Sequence, residues 1–416
     1  MGLHIPPALR SRRFRLIWLG LMISVSGSQM QVWSLLWHIR TLTDQPIALG
    51  GIGLARILPV FVFSLIGGAM ADVANRRKVM MLTQSGLALV ALALALLTIS
   101  QQINLWYIYA LTALQAVVVS FDLPARQALV PNLVPVQDLP SAFSLTSIAF
   151  QTGAIVGPAL SGLVIAYGGL SYTYLINALS FLAVLVALIL MGNVEQRPVA
   201  NRRAAFSLSA IREGIHFILH QPMILSTMLM DFFATFFSSA NTLMPIFARD
   251  ILHVGAIEYG WLSSAQSIGA VIADVITSQI NQIRRQGPIF LVSVIIFGLA
   301  TIGFGLTRSF LLSMLTLILV GAADAVSTII RSTIRQMLTP DYIRGRMTSV
   351  NQIFFMGGPQ LGEVEAGLVA QLFGTPFAII SGGIGCILAV GWIVYRWPQI
   401  RTYNGDEAIS TGAPAN

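Results

Sequence analysis

Twelve runs of mostly apolar residues recur along the chain, 17 to 27 residues long and most of them 18 to 25, which is enough to cross a bilayer as a helix. The first six read Leu16 to His38, Ala48 to Ala71, Val79 to Ile99, Leu105 to Phe121, Ala142 to Ala166 and Tyr174 to Met191. The next six read Ile224 to Phe247, Tyr259 to Ile280, Pro288 to Gly305, Phe310 to Ile334, Met347 to Phe373 and Phe377 to Tyr395. Only 10% of the 416 residues are charged, where soluble domains carry about 25%. These features predict an all-α membrane protein with twelve transmembrane helices, whose surroundings are the lipid bilayer.

A net charge of +8 does not point to nucleic acid, because the cations lie in short clusters between apolar runs rather than on one basic domain. They report topology instead. With the N-terminus placed inside, nineteen of the 24 Arg and Lys fall on cytoplasmic segments, Arg40, Arg249 and Arg308 lie outside, and Arg56 and Arg331 lie within spans. That asymmetry predicts a multi-pass protein of the cell inner membrane with both termini cytoplasmic. The basic start MGLHIPPALRSRRFR runs straight into a full-length span without a small-residue cleavage site, so no signal peptide is expected. The single cysteine, Cys386, sits inside the last apolar run and rules out an intrachain disulfide or a cysteine metal cluster.

The longest connection, Gly192 to Gln221, divides the spans six and six. Its second part is amphipathic, with Ile211, Ile215, Ile218 and Leu219 on one face and Arg212, Glu213, His216 and His220 elsewhere, as in a helix lying on the membrane surface. His216 and His220 have a metal-capable spacing but no further ligand in sequence, so they read as interfacial histidines and no metal or cofactor is expected.

The halves repeat. Arg126 begins RQALVPNLV and Arg335 begins RQMLTPDYI, an offset of 209. Ala71, Asp72, Val73 recur as Ala273, Asp274, Val275 at an offset of 202, and Gly157, Pro158 as Gly358, Pro359 at 201. Matches in the same order make the chain a duplication. The expected domains are a six-helix bundle over 1–191, a cytoplasmic linker over 192–222, a second six-helix bundle over 223–396 and a tail over 397–416.

The stretch GGAMADVANRRK, from Gly67 to Lys78, resembles the loop between the second and third helices of the major facilitator superfamily, in the residues Gly68, Asp72, Arg76 and Arg77. Val73 and Asn75 depart from the family pattern, in which a basic residue and Gly are usual, and Asn75 is the residue type after Gly that best tolerates a left-handed turn. Clustered Arg and Lys are also what any short cytoplasmic loop collects. The resemblance implies two six-helix bundles with a substrate path at their interface. The fifth span carries Gly153, Gly157, Pro158 and Gly162, similar to the superfamily's Gly-Pro motif of antiporters and exporters, although small residues also serve ordinary helix packing. FRLIWLGLMIS, FDLPARQALVPNLVP and TPDYIRGRMTSV resemble the enterobactin-exporter-like branch, which also contains macrolide-efflux-type proteins. This implies a monomeric exporter of a small siderophore or drug-like amphipathic molecule, driven by protons. The Arg that many proton-coupled members carry in the fourth span is missing; the span holds only Gln115 before Asp122.

Charges inside spans cost roughly 2.5 to 3.5 kcal/mol each at mid-helix and are functional candidates or structural pairs. They are Arg56, Asp231, Asp324, Arg331, Glu363 and Glu365. In the resembled fold the first, fourth, seventh and tenth spans line the cavity, so Gln31, Gln115, Asp231 and Asp324 would face substrate, with Trp33 and Trp37 adding aromatic surface. Burial disfavours the charged form of a carboxyl, which makes Asp324, and after it Asp231, the expected proton carrier. Asp72 is expected to close an inner gate against the start of the eleventh span. Arg56, about 12 Å below the outer surface, shares its depth with Glu365 and Glu363, which predicts an outer gate. The two glutamates lie about 200° apart on a helix, and Glu365 shares a face with Gly358 and Gly362. An importer or uniporter of the same fold, a polytopic enzyme and a non-transporting sensor are the competing readings. The chain contains no Gly-x-Ser-x-Gly, His-Glu-x-x-His or Gly-Lys-Ser loop to support an enzyme.

Overall fold

The computed structural model describes residues 6–194, 208–237, 239–280 and 283–405, and among them the chain is helical with no strand. The first half contains α1 (Arg12–Leu42), α2 (Pro46–Val73), α3 (Arg76–Ile99), α4 (Leu105–Leu129), α5 (Leu139–Tyr167) and α6 (Leu170–Met191). The short α7 (Leu208–Leu219) leads to α8 (Pro222–Phe237), followed by a 3-10 turn, the three-residue α9 (Met244–Ile246) and a π-helical turn over Phe247–Ile251. Then come α10 (Ala256–Ser278), α11 (Gln286–Leu306), α12 (Phe310–Leu338), α13 (Asp341–Phe373) and α14 (Thr375–Arg396). Nine of the described helical stretches are long and apolar enough to cross a membrane. Of the other long helices, α1 and α10 are diluted by Ser and Gln, and α13 also by Asn351, Glu363 and Glu365.

The helix ends differ from the apolar runs for local reasons. Asn75 is an N-cap rather than a left-handed residue: its φ is −66° and ψ 108°, and its side chain accepts the Lys78 N–H at 3.2 Å. An N-cap takes extended backbone, so Asn serves here by its carbonyl and not by its tolerance of positive φ. The seventh run is not one continuous α-helix. Pro245 has no N–H for the carbonyl four residues back, which breaks the α-helical ladder, and Asn241 in the resulting turn donates to the Gln266 side chain at 3.1 Å.

By packing, the chain separates into two compact units: Met1–Arg202 with Thr242–Ser264, and Arg203–Asn241 with Ala265–Asn416. Inside the first, α1 packs on α5 and α6, and α3 on α4 and α6. Inside the second, α8 packs on α13 and α14, and α11 on α12 and α14. The same pairing scheme in both is the duplication expressed in three dimensions. Phe14, Met80, Leu129 and Leu188 centre the first core, and Phe290, Ile330, Cys386 and Ile393 the second.

Repeated glycines set the closest helix contacts. A Cβ added to Gly157 would overlap Gln29 and the Ser26 carbonyl of α1, and one added to Gly358 would overlap Thr235 of α8. Gly67 of α2 presses on the Ser120 carbonyl of α4. Pro124, four residues further along α4, has no N–H to give that carbonyl, so the Gly-rich loop and the FDLPARQ segment meet at one freed oxygen.

Candidate functional site

The main concentration of buried charge lies in the second unit, on α8 and α12. Asp324, Ser327, Arg331 and Arg335 are spaced by three, four and four residues, which puts them along one face of α12. Arg331 Nη2 lies 3.0 Å from Asp231 Oδ1, and Arg335 Nη1 lies 3.4 Å from Asp231 Oδ2. Arg331 Nη1 donates to Ser327 Oγ at 3.1 Å and lies 3.5 Å from Asp324 Oδ1. Arg335 also reaches the side chain of Asn351 on α13. Two guanidiniums face two carboxylates, so the cluster is neutral when all four groups are ionised.

Its members differ in access. The side chains of Asp231 and Arg331 are 1% and 3% exposed, whereas that of Asp324 is 45% exposed. The sequence reading puts Asp231 on a substrate-facing wall; the structure encloses it, because two guanidiniums converge on its carboxylate. Asp324 is the accessible end of the cluster. Chemically, the arrangement can pass a change of charge at Asp324 to Arg331, and through it to Asp231 on a different helix.

In the first unit, α1 turns its polar residues toward neighbouring helices. Asn177 Nδ2 donates to Gln31 Oε1 at 2.7 Å, and Gln31 Nε2 to Gln115 Oε1 at 2.9 Å. Gln31 is 2% exposed, while Gln115, the repeat mate of Asp324, is partly exposed. Ser34 pairs with Ser161 at 2.9 Å, and His38 Nδ1 with Tyr174 Oη at 2.9 Å. Trp37 packs on buried Tyr259 with ring centroids 4.8 Å apart, and the Tyr259 hydroxyl donates to the Trp33 carbonyl at 2.8 Å.

The loop-motif residues divide. Gly68 is partly buried at the end of α2, Arg76 is 3% exposed, and Arg77 Nε donates to the Leu188 carbonyl at 2.7 Å, tying the start of α3 to the last turn of α6. The side chain of Asp72 lies outside the described residues. Nearby, buried Asp122 accepts from Thr83 at 2.7 Å, Gln84 at 2.9 Å and Arg126 at 2.9 Å. Gly157 and Pro158 are buried in α5. Arg56, Glu363 and Glu365 are each partly buried. His216 and His220 are exposed and stack with centroids 4.1 Å apart.

One site has no forewarning in sequence. Arg40, at the end of α1, grips Asp250 in the π-helical turn through Nε at 3.0 Å and Nη2 at 2.8 Å, and also pairs with Asp44. The available signal is that Arg40 and Asp250 sit in apolar surroundings at span ends, but nothing in the spacing pairs them.

A family model described as transmembrane secretion effector matches residues 5–413. The enterobactin exporter of Citrobacter koseri is 26% identical over 356 residues, covering 85% of this chain and 84% of that protein. That of Shigella boydii serotype 18 is 27% identical over 332 residues, covering 80% and 79%. Among solved structures, a bacterial homologue of the human lysosomal transporter Spinster, inward-facing and occupied, superposes with TM-score 0.74 at 13% identity over 94% of this chain and 97% of that one. A bacterial homologue of the iron transporter ferroportin, inward-facing, gives 0.70 at 15% identity over 94% and 99%. These two likenesses concern the fold.

Proposed function

We propose a function from one premise: the chain belongs to the transmembrane secretion effector family of major facilitator transporters. It is a multi-pass secondary transporter that exports a small siderophore-like compound. The observation that carries a coupling mechanism is the unequal exposure of the Arg331 partners, Asp324 open and Asp231 enclosed.

The coupling ion is a proton and Asp324 carries it. With Asp324 ionised, Arg331 is shared between two acids. A proton on Asp324 removes one of them, and the guanidinium then interacts with Asp231 alone, so loading the carrier changes the force between α12 and α8. Gln115, at the repeat-related position of α4, supplies hydrogen bonding to the substrate. Asp72, with Arg76 and Arg77, closes the inner gate, and Arg56 with Glu365, or with Glu363, closes the outer one. The protein works as a monomer in the inner membrane, with both termini cytoplasmic, bundles over 1–191 and 223–396, a linker over 192–222 and a tail over 397–416. The Arg-rich segments support that orientation.

The test uses inverted membrane vesicles given a siderophore and an imposed pH gradient. Gradient-dependent accumulation is expected. Uptake indifferent to the gradient would remove proton antiport, and absence of uptake for every siderophore tried would remove the substrate class.

A further inference from the structure

We propose that α11 carries a binding site for an anionic phospholipid, with Arg284 and Arg285 holding the phosphate and one acyl chain lying along Ile289, Val292 and Ile296. A groove of about 500 Å³ is lined by these five side chains with Pro288 and Ser293. Both arginines are exposed, and among the described residues neither is paired with a carboxylate. Asp274 lines a separate cavity of about 430 Å³ that Arg284 also borders and Arg285 does not.

The apolar half of the groove has the geometry of a single chain. Ile289, Val292 and Ile296 follow i, i+3, i+7 spacing and are 37%, 52% and 36% exposed, so they form one outward stripe. From Arg285 to Ile296 the helix rises about 16 Å, close to half of a hydrocarbon core about 30 Å thick. The stripe therefore reaches one leaflet deep from the two cations, which matches a headgroup above its own acyl chain.

Charge decides the class of lipid. The end of α11 adds little by itself: Pro288 has no N–H, and the Gly287 N–H is already given to the Tyr403 carbonyl at 2.9 Å. Recognition therefore rests on the two guanidiniums, which favour a net negative headgroup over a zwitterionic one. Each arginine near a membrane surface contributes about a fivefold preference, so the pair gives roughly thirtyfold.

The full-length protein in detergent, mixed with equal phosphatidylglycerol and phosphatidylcholine, tests this by native mass spectrometry. Phosphatidylglycerol should be retained roughly thirtyfold over phosphatidylcholine. The Arg284→Gln, Arg285→Gln double variant should retain the two equally, and the Lys, Lys pair should keep the preference. Val292→Trp, which fills the groove but leaves both cations, should lose retained phosphatidylglycerol. Should the Gln pair fail to fold, the Lys pair and Val292→Trp decide alone. Equal retention of both lipids by the wild type, or undiminished phosphatidylglycerol on Val292→Trp, overturns the site. Complete displacement by inorganic phosphate would assign it to free phosphate and overturn the lipid.

Discussion

Arg40 and Asp250 are 210 positions apart in sequence, yet Arg40 Nε and Nη2 lie 3.0 and 2.8 Å from the same carboxylate oxygen of Asp250. Nη2 also reaches the second oxygen at 2.9 Å. Arg40 is 11% exposed at its side chain and Asp250 36%, so the pair is better shielded than an ordinary surface bridge, and two-point contact makes it stronger. Arg40→Gln should raise hydrogen exchange over the segment 244–259 while leaving α3 unchanged. The combined Arg40→Asp, Asp250→Arg variant should restore part of the protection. Unchanged exchange in the single variant would mean that Trp37 and Tyr259 hold the segment by themselves.

Asp231 is the sole described carboxylate within 4 Å of both Arg331 and Arg335. Asp231→Asn leaves Arg331 with Asp324 alone and Arg335 with no described carboxylate within 4 Å, and loss of one partner from a buried pair costs about 3–5 kcal/mol. The variant should melt markedly lower in detergent. Adding Arg335→Gln should recover much of the loss, measured by fluorescence-detected size exclusion after heating. Full stability of the single variant would show that the cluster is solvated.

Asp324→Asn should fold normally, since Asp324 lies 3.5 Å from Arg331 whereas Asp231 holds the same guanidinium at 3.0 Å. Downhill exchange of substrate should persist and the response to a pH gradient should vanish. Gradient-driven accumulation by this variant would show that the proton travels elsewhere.

Gly157→Val and Gly358→Val should each cost about 1–3 kcal/mol, the range for forcing extra volume into a packed contact. Both sites are closed by the backbone of the helix opposite together with one of its side chains, Gln29 at Gly157 and Thr235 at Gly358. Gly391→Ala, where an added Cβ meets nothing within 4 Å, is the control and should be neutral in thermal unfolding.

For the outer gate, Arg56→Glu combined with Glu365→Arg should regain transport that each single change loses, and paired cysteines at the two positions should crosslink in one transport state only. Failure of the swap with both Glu365 and Glu363, or crosslinking at the same rate in every state, would place the gate at other residues.

The repeat was legible to the level of single glycines. Gly157 and Gly358 match in sequence at an offset of 201, and each turns out to seat its helix on the first helix of its own half. The ion cluster was legible in part. Charges inside apolar runs mark themselves by their cost, so Asp231, Asp324 and Arg331 stood out, but Arg335 reads as an ordinary end-of-span cation and Asn351 as a polar residue of no special note. The pairing of Asp122 with Thr83 and Gln84 likewise joins residues 39 and 38 positions apart that share no motif.

The sequence by itself determined the class of fold, the helical runs, the duplication and the family resemblance, because hydrophobic length and repeated motifs are local properties that survive without coordinates. Tertiary structure alone decided that Asp231 is enclosed and Asp324 open, that Asn75 caps a helix, that the seventh run breaks near Pro245, and that residues 242–264 pack within the first unit. The rotation and depth at which two helices meet set which side chains touch. Partners 104 or 210 positions apart, such as Arg335 with Asp231 or Arg40 with Asp250, leave no periodic trace in the chain that joins them.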